Sequence, residues 1–233
     1  MTKTLAIAAL TSSVMALSSA HAAVQTVDFE GLARGTVVTN QVAGITVSAT
    51  KKNKNKPKQA MIFDTNDVSG GDTDLQSDFR NIDTNKLVDM GKSLIISEDN
   101  DSSDPDDDAK GGKFIFDFAN AVSFISLDVL DINKREGATI ELFDSSDVGT
   151  QTLLATISNG TKTAGDREFF TLAAAGGAIN GVLQMTVTFT SSGALDNLIY
   201  DDGNPVPVPG ALPLMVSSLA GAAWMRRRRK VAG

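Results

Sequence analysis

The chain has 233 residues, with 28 acidic and 21 basic side chains, no cysteine and one histidine, His21. Without cysteine there are no disulfides or thiolate chemistry, and a single histidine in a removable leader also excludes Ser-His-Asp and Cys-His catalysis and histidine-built zinc sites. Six of the basic residues, Lys3 and Arg226 to Lys230, lie at the ends, so Ala23 to Met225 sets 15 Lys and Arg against all 28 acids for a net charge of −13. Nucleic acid is therefore not an expected partner, because polyphosphate needs a basic surface.

Met1 to Ala22 carries Lys3, an apolar stretch from Leu5 to Leu17, and Ala20-His21-Ala22. That order predicts a secretory signal peptide over residues 1–22, with Ala20 and Ala22 as the small residues of the cleavage site. The mature chain then starts at Ala23 or one residue later and has neither imidazole nor thiol. An exported domain without disulfides is held by its apolar core, by metal ions, or by both.

Residues 23–203 read as one β-sandwich domain. Gln184 to Thr190 alternates most clearly, placing Met185, Val187 and Phe189 toward a core. Strand-like segments precede and follow it at Thr26 to Phe29, Ile45 to Ala49, Met61 to Phe63, Leu94 to Ser97, Lys113 to Phe118, Val122 to Leu130, Thr139 to Phe143, Leu153 to Ile157, Glu168 to Leu172 and Leu195 to Tyr200. Turn chemistry separates them at Gly70-Gly71, Gly111-Gly112, Asp131 to Gly137, Asn159-Gly160 and Gly176-Gly177. The pattern predicts an all-β, antiparallel, jelly-roll-like sandwich.

Two segments interrupt the rhythm. Lys51 to Lys58 places five lysines in eight residues. It is either a solvated loop or a patch that holds anionic polysaccharide or pairs with an acidic neighbour. Glu98 to Asp108 places seven acids in eleven residues, a density that is hard to pack without a cation. Calcium takes six to eight hard oxygen ligands, and clustered carboxylates in loops supply them. Three places qualify: Asp64 to Asp74, with Asp64, Asn66, Asp72 and Asp74; the acidic loop, with Asp104 and Asp106; and a split pair, with Asp28 and Glu30 near the first strand and Asp196 and Asn197 at the last. None follows the EF-hand spacing, and the alternative is that the acids keep an exported surface soluble.

The tail, residues 204–233, runs Val206-Pro207-Val208-Pro209-Gly210-Ala211-Leu212-Pro213-Leu214, then an apolar stretch over 210–225, then Arg226, Arg227, Arg228, Arg229 and Lys230. The stretch is short against the roughly 20 residues of a stable membrane span, and the basic cluster reads as a cytoplasmic stop. The tail resembles the PEP-CTERM class of bacterial sorting signals, in the variant whose glutamate is replaced by an aliphatic residue and followed by Ala-Leu-Pro-Leu. The resemblance implies an exosortase as partner, transient anchoring in the inner membrane, and delivery to the cell surface or extracellular matrix. Gly210 stands where alanine is usual. An uncut anchor would predict the same first location.

The body is similar to a family of uncharacterised exported β-sandwich proteins, through Val27 to Gln41, Ile62 to Asn66, Gly70 to Leu75, Ile95 to Asp99, Asp104 to Asp107 and Leu195 to Tyr200. That likeness implies no enzymatic activity. Related jelly rolls hold a structural calcium between a first-strand Glu and a last-strand Asp, positions matched by Glu30 and Asp196. The function expected is thus a non-enzymatic, calcium-stabilised surface or matrix protein working among exopolysaccharide. The first alternative is a carbohydrate-binding module, yet the only Trp is Trp224, in the tail, and the only Tyr is Tyr200. The second is a glycoside hydrolase, for which Glu141 is the best lone carboxylate.

Overall fold

The computed structural model describes residues 22–52, 56–69, 71–134 and 136–205. One unit spans Ala22–Asn204, and the other, residues 1–21 with 205–233, lies outside the described residues but for Pro205. The cleavage residue Ala20, the sorting motif from Val206 to Leu214, the predicted span 210–225 and the cluster Arg226 to Arg229 all fall outside. Ala22, the other cleavage residue, opens the first strand. Among the described residues no helix is long and apolar enough to cross a membrane.

Among the described residues thirteen strands form the body: β1 (Ala22–Val27), β2 (Ile45–Lys51), β3 (Pro57–Lys58), β4 (Ala60–Asp64), β5 (Phe79–Asn81), β6 (Leu87–Val88), β7 (Lys92–Ile96), β8 (Gly112–Leu130), β9 (Ala138–Phe143), β10 (Leu153–Ser158), β11 (Glu168–Ala173), β12 (Ile179–Phe189) and β13 (Ala194–Pro205). A 3-10 turn at Thr73–Leu75 is the one helical element among the described residues. Two segments expected as separate strands, Lys113 to Phe118 and Val122 to Leu130, are one strand, β8. It alternates buried and half-buried residues before exposed Ala119, Asn120 and Ala121 and again from Val122 to Ile125, and is buried throughout from Ser126 to Leu130.

That interruption lets β8 serve two groups of strands. Its first half pairs with β2 on one side and β12 on the other, and β12 leads on to β9 and β10. Its second half pairs with β11 and β13, and β13 leads on to β7 and β4. β1 also pairs with β13, so the two ends of the body lie side by side. Gly112 starts β8 in a place no side chain could occupy, since a Cβ there would stand 2.7 Å from the Thr50 carbonyl oxygen.

The arrangement is all-β and consistent with a sandwich, but the expected all-antiparallel sheet needs correction. β11 runs parallel to β5, pairing Glu168 with Arg80 and Phe169 with Asn81. A parallel neighbour requires a long crossover, and here the chain between the two passes through β6 to β10.

Period-two alternation sends one face inward. Met185, Val187 and Phe189 of β12 are fully or nearly fully buried, as are Phe114 and Phe116 of β8 and Ile140 and Leu142 of β9. Every phenylalanine except Phe143 is buried. At about 1.5–3 kcal/mol for each such side chain, this core replaces the missing disulfides as the main source of stability.

Candidate functional site

The register of β8 and β13 sets Asp128 directly opposite Asp196. Like charges placed so repel, yet both residues are buried, Asp196 to 2% exposure and Asp128 to 9%. β13 slips against β8 between Asp196 and Ile199, and Asn197 takes φ 48° there, a left-handed conformation that asparagine tolerates. The slip turns the Asn197 side chain onto Asp128, whose Oδ2 accepts from Nδ2 at 3.0 Å while Oδ1 accepts from the Thr171 hydroxyl at 2.5 Å. Asp196 accepts from the Asn197 backbone N–H at 2.7 Å.

The chain just beyond β1 adds two more carboxylates. Asp28 accepts from the Glu30 N–H at 3.2 Å, and Glu30 Oε1 accepts from the Lys92 N–H at 2.6 Å. Glu30 is let in by a missing side chain: Gly91 has φ 53°, and a Cβ on it would lie 2.1 Å from Glu30 Oε1. Burial first, then the charges of Asp128, Glu30 and Asp28, push the Asp196 carboxyl up to about 9, against the lowering effect of the Asn197 N–H. None of Asp28, Glu30, Asp128 and Asp196 joins an ion pair among the described residues.

A second group forms where two of the acidic segments meet the end of β8. Asp72 Oδ2 accepts from the Asp107 N–H at 2.9 Å. Asp107 Oδ2 accepts from the Gly193 N–H and the Ser192 hydroxyl, each at 2.6 Å, and Ser192 also lies 3.3 Å from Asp131 Oδ2. Asp131, 1% exposed at φ 55°, takes its other bond from Asn133 Nδ2 at 3.1 Å. Burial is the main cause that raises Asp72 and Asp131 to about 7 and Asp107 to about 6, with Asp74 adding its charge to each. Sequence reasoning named Asp72 and Asp74 and included Asp107 in the acidic Glu98 to Asp108 loop without singling it out, but missed Asp128 and Asp131. The signal for Asp128 and Asp131 was a charged residue within or at the end of an apolar strand, where a carboxylate needs a partner.

Of the other expected ligands, Asp64 and Asn66 are satisfied within the protein, whereas Oδ1 of Asp106 is buried without a hydrogen-bond partner among the described residues. Asp64 pairs with the Lys92 ammonium, and Asn66 donates to Asp89 at 2.9 Å. In the acidic loop, Asp108 pairs with Lys58 at 2.8 Å, with both side chains nearly buried, and the same ammonium donates to the carbonyls of Ser97 and Glu98. The lysine segment thus supplies one internal cation to its acidic neighbour. Asp106 is raised by burial, then by Asp99, Glu98 and Asp104.

Among the described residues no three Asp, Glu or His side chains are already gathered as a metal shell. The donor chemistry nevertheless fits a hard cation. Around Asp196 every available side-chain ligand is oxygen, the acids outnumber the cations, and Gly91 leaves space filled by a carboxylate. Glu141, by contrast, stands on the outward sheet face, 3.4 Å from the Thr186 hydroxyl. Asp117 on the same face accepts from the Gln184 amide at 2.8 Å.

No family model and no curated protein sequence matches the chain. Among solved structures, it is similar to CpGH89CBM32-6 produced by Clostridium perfringens at 11% identity and a TM-score of 0.34, over 71% of this chain and 98% of that one. A mutant Ruminococcus gnavus GH29 fucosidase in complex with fucose gives 14% and 0.34, over 72% and 28%. A truncated AlyQ with CBM32 and alginate lyase domains gives 13% and 0.32, over 81% and 36%. The chain therefore spans about a third or less of the length of the fucosidase and AlyQ chains. At these scores no step of the functional reading rests on the likeness.

Proposed function

We propose that this is a non-catalytic β-sandwich protein, exported through its signal peptide, processed by an exosortase at the Val206 to Leu214 motif, and braced by calcium at the cell surface or in the extracellular matrix. The carrying observation is the buried Asp128–Asp196 pair, joined by Glu30 and Asp28 and without a lysine or arginine partner among the described residues. A cation of oxygen-ligand preference would relieve this repulsion and tie β1 to β13. Glu30, Asp128 and Asp196 would hold it, and its role would be structural.

Calorimetry of the exported chain with calcium and then with chelator tests the bracing. A melting temperature that falls on chelation supports it, and an unchanged one removes calcium from the reading. Export is tested separately, by the mass and location of the chain in cells with and without exosortase. A chain of the same mass in the same membrane fraction in both would remove the processing step.

A second reading, sugar binding, is favoured by an open depression of about 260 Å³ lined by Asn40, Val42, Ile45, Thr46, Asp117 and Phe118. It combines hydrogen-bonding groups with an apolar wall. Retention on neutral polysaccharides, lost on Asp117→Ala, would support it.

A further inference from the structure

The fold divides the lysines of the Lys51 to Lys58 segment into two uses. Lys58 turns inward to Asp108. Lys51 and Lys56 remain exposed at the connection of β2 to β3, where the Lys51 N–H donates to the Lys56 carbonyl at 2.9 Å. β2 is paired so that Thr50 opposes Lys113 and Lys51 opposes Gly112, which brings Lys113 and exposed Lys110 to the same end of the sheet. Lys52 reaches across to the Thr190 carbonyl at 3.3 Å, just beyond β12. Five lysines from two distant parts of the sequence therefore lie at one end of the sheet.

None of the five forms an ion pair among the described residues. Four acids near this end are already engaged. Asp108 is held by Lys58, Asp107 and Asp131 by Ser192, and Glu136 by the Asn133 N–H. On a body of net charge −13, this is a local reversal of sign.

The outward face continues from the lysines as a hydroxyl row. Lys113, Thr188, Thr139 and Ser158 are successive cross-strand neighbours on β8, β12, β9 and β10, while Thr50, opposite Lys113 on β2, keeps its hydroxyl oxygen buried and outside the row. At ordinary strand spacing the row is about 14 Å long. We propose that this end of the sheet binds an anionic polysaccharide, the lysines holding its acidic groups and the row hydrogen-bonding its sugar hydroxyls. The biological setting rests on the surface-or-matrix reading above, whereas the binding itself needs none of the cation sites.

The chemistry favours this polymer over other polyanions. A lipid surface is bound with apolar side chains, but the exposed ones, Val24, Leu87, Val88, Val148, Leu153 and Leu154, are not among these lysines. Single-stranded nucleic acid is bound by stacking on aromatic rings, and none is exposed here; Tyr200 is buried.

The test is affinity electrophoresis of the exported chain through polygalacturonate, with uncharged dextran, DNA and phosphatidylglycerol-containing vesicles as comparison probes. It is run without calcium, below the melting temperature of the chelated protein. Retardation by polygalacturonate that weakens with salt is expected. The triple variant Lys51→Gln, Lys52→Gln, Lys56→Gln should lose about tenfold or more in affinity, on the ordinary worth of exposed charge pairs, with melting unchanged. The corresponding Lys→Arg triple should keep its binding, and Lys113→Gln should lose a smaller part. No retardation, an unaffected triple Gln variant, or equal binding to DNA or vesicles would overturn the proposal. A chain that binds polygalacturonate yet stays inside the cell would instead sink only the export reading.

Discussion

Two sets of buried and half-buried acids in this protein are treated in opposite ways. Asp108 and Asp64 receive a lysine from another strand, Lys58 and Lys92. Asp196 with Asp128, and Asp107 with Asp131 and Asp72, receive only hydroxyls, amides and backbone N–H groups. The first set is neutralised by the sequence itself, while the second relies on protons or on a cation from solution. Local density of carboxylates does not distinguish the two, since Asp107 and Asp108 are neighbours and differ. What distinguishes them is which side chain the sheet register delivers.

The largest effect should follow from breaking the internal pair. Lys58 and Asp108 side chains are 6% and 4% exposed, so Lys58→Met leaves a buried carboxylate alone and removes the donor to two carbonyls. A loss of about 3–5 kcal/mol is expected in denaturant unfolding, partly recovered by adding Asp108→Leu. A loss below about 1 kcal/mol would show that Asp108 finds other relief, as an exposed pair does.

Next comes the set without lysines, where pH should act. With Asp196 raised to about 9 from 3.8, the folded state holds a proton that the unfolded chain has released between those values. Stability of the calcium-free protein is therefore greatest below pH 3.8 on this account and is lost as pH rises toward 9, by up to ~1.4 kcal/mol per pH unit for one such group. Asp72 and Asp131, at about 7, and Asp107, at about 6, act with the same sign over narrower windows. Calcium should flatten the slope by favouring the ionised forms. Asp196→Asn should raise calcium-free stability at pH 8 by on the order of 2–4 kcal/mol and abolish most of the calcium-dependent rise in Tm. An Asn variant that still gains as much from calcium as the parent would move the bracing to the Asp72, Asp107 and Asp131 group.

How much of this was legible in the sequence depends on the range of the interaction. Alternation marked β12 and the other long strands, because side-chain period is a local property. β3, β5 and β6 were missed: at two or three residues they carry no period, and they exist only through pairing with distant chain. Glu30 and Asp196 are named together as a split pair of carboxylates near the two chain ends, and again through a resemblance; in the structure their charges act on one another. Asp128 and Asp131 were not named, because their role comes from a facing strand and a turn rather than from neighbours in sequence. The five-lysine run did offer pairing with an acidic neighbour as one reading, but nothing local in it singles out Lys58 as the member that pairs with Asp108.

A half-buried version of the internal pair should give an intermediate result. Lys92 and Asp64 side chains are 21% and 15% exposed, and Asp64 also accepts from the Asn66 N–H. Lys92→Met is expected to cost about 1–2 kcal/mol, since solvent can reach the abandoned carboxylate. A cost as large as that of Lys58→Met would mean that Asp64 helps to hold Glu30 at the Gly91 turn, through the Lys92 backbone.

The smallest effect is expected at Lys162 and Asp83, which pair at 2.7 Å with both side chains 43% exposed. Lys162 also lies over the Phe170 ring, 5.5 Å from its centroid. Solvent screening leaves the ion pair worth little, so Asp83→Asn should change stability by no more than about 0.5 kcal/mol, and less in high salt. Lys162→Met should also be mild, because its stem can still cover the ring. If Lys162→Met costs clearly more than Asp83→Asn, the ring contact rather than the carboxylate fixes this lysine. The contrast with Lys58 then holds for burial itself: the same residue type matters where water is excluded and hardly at all where it is not.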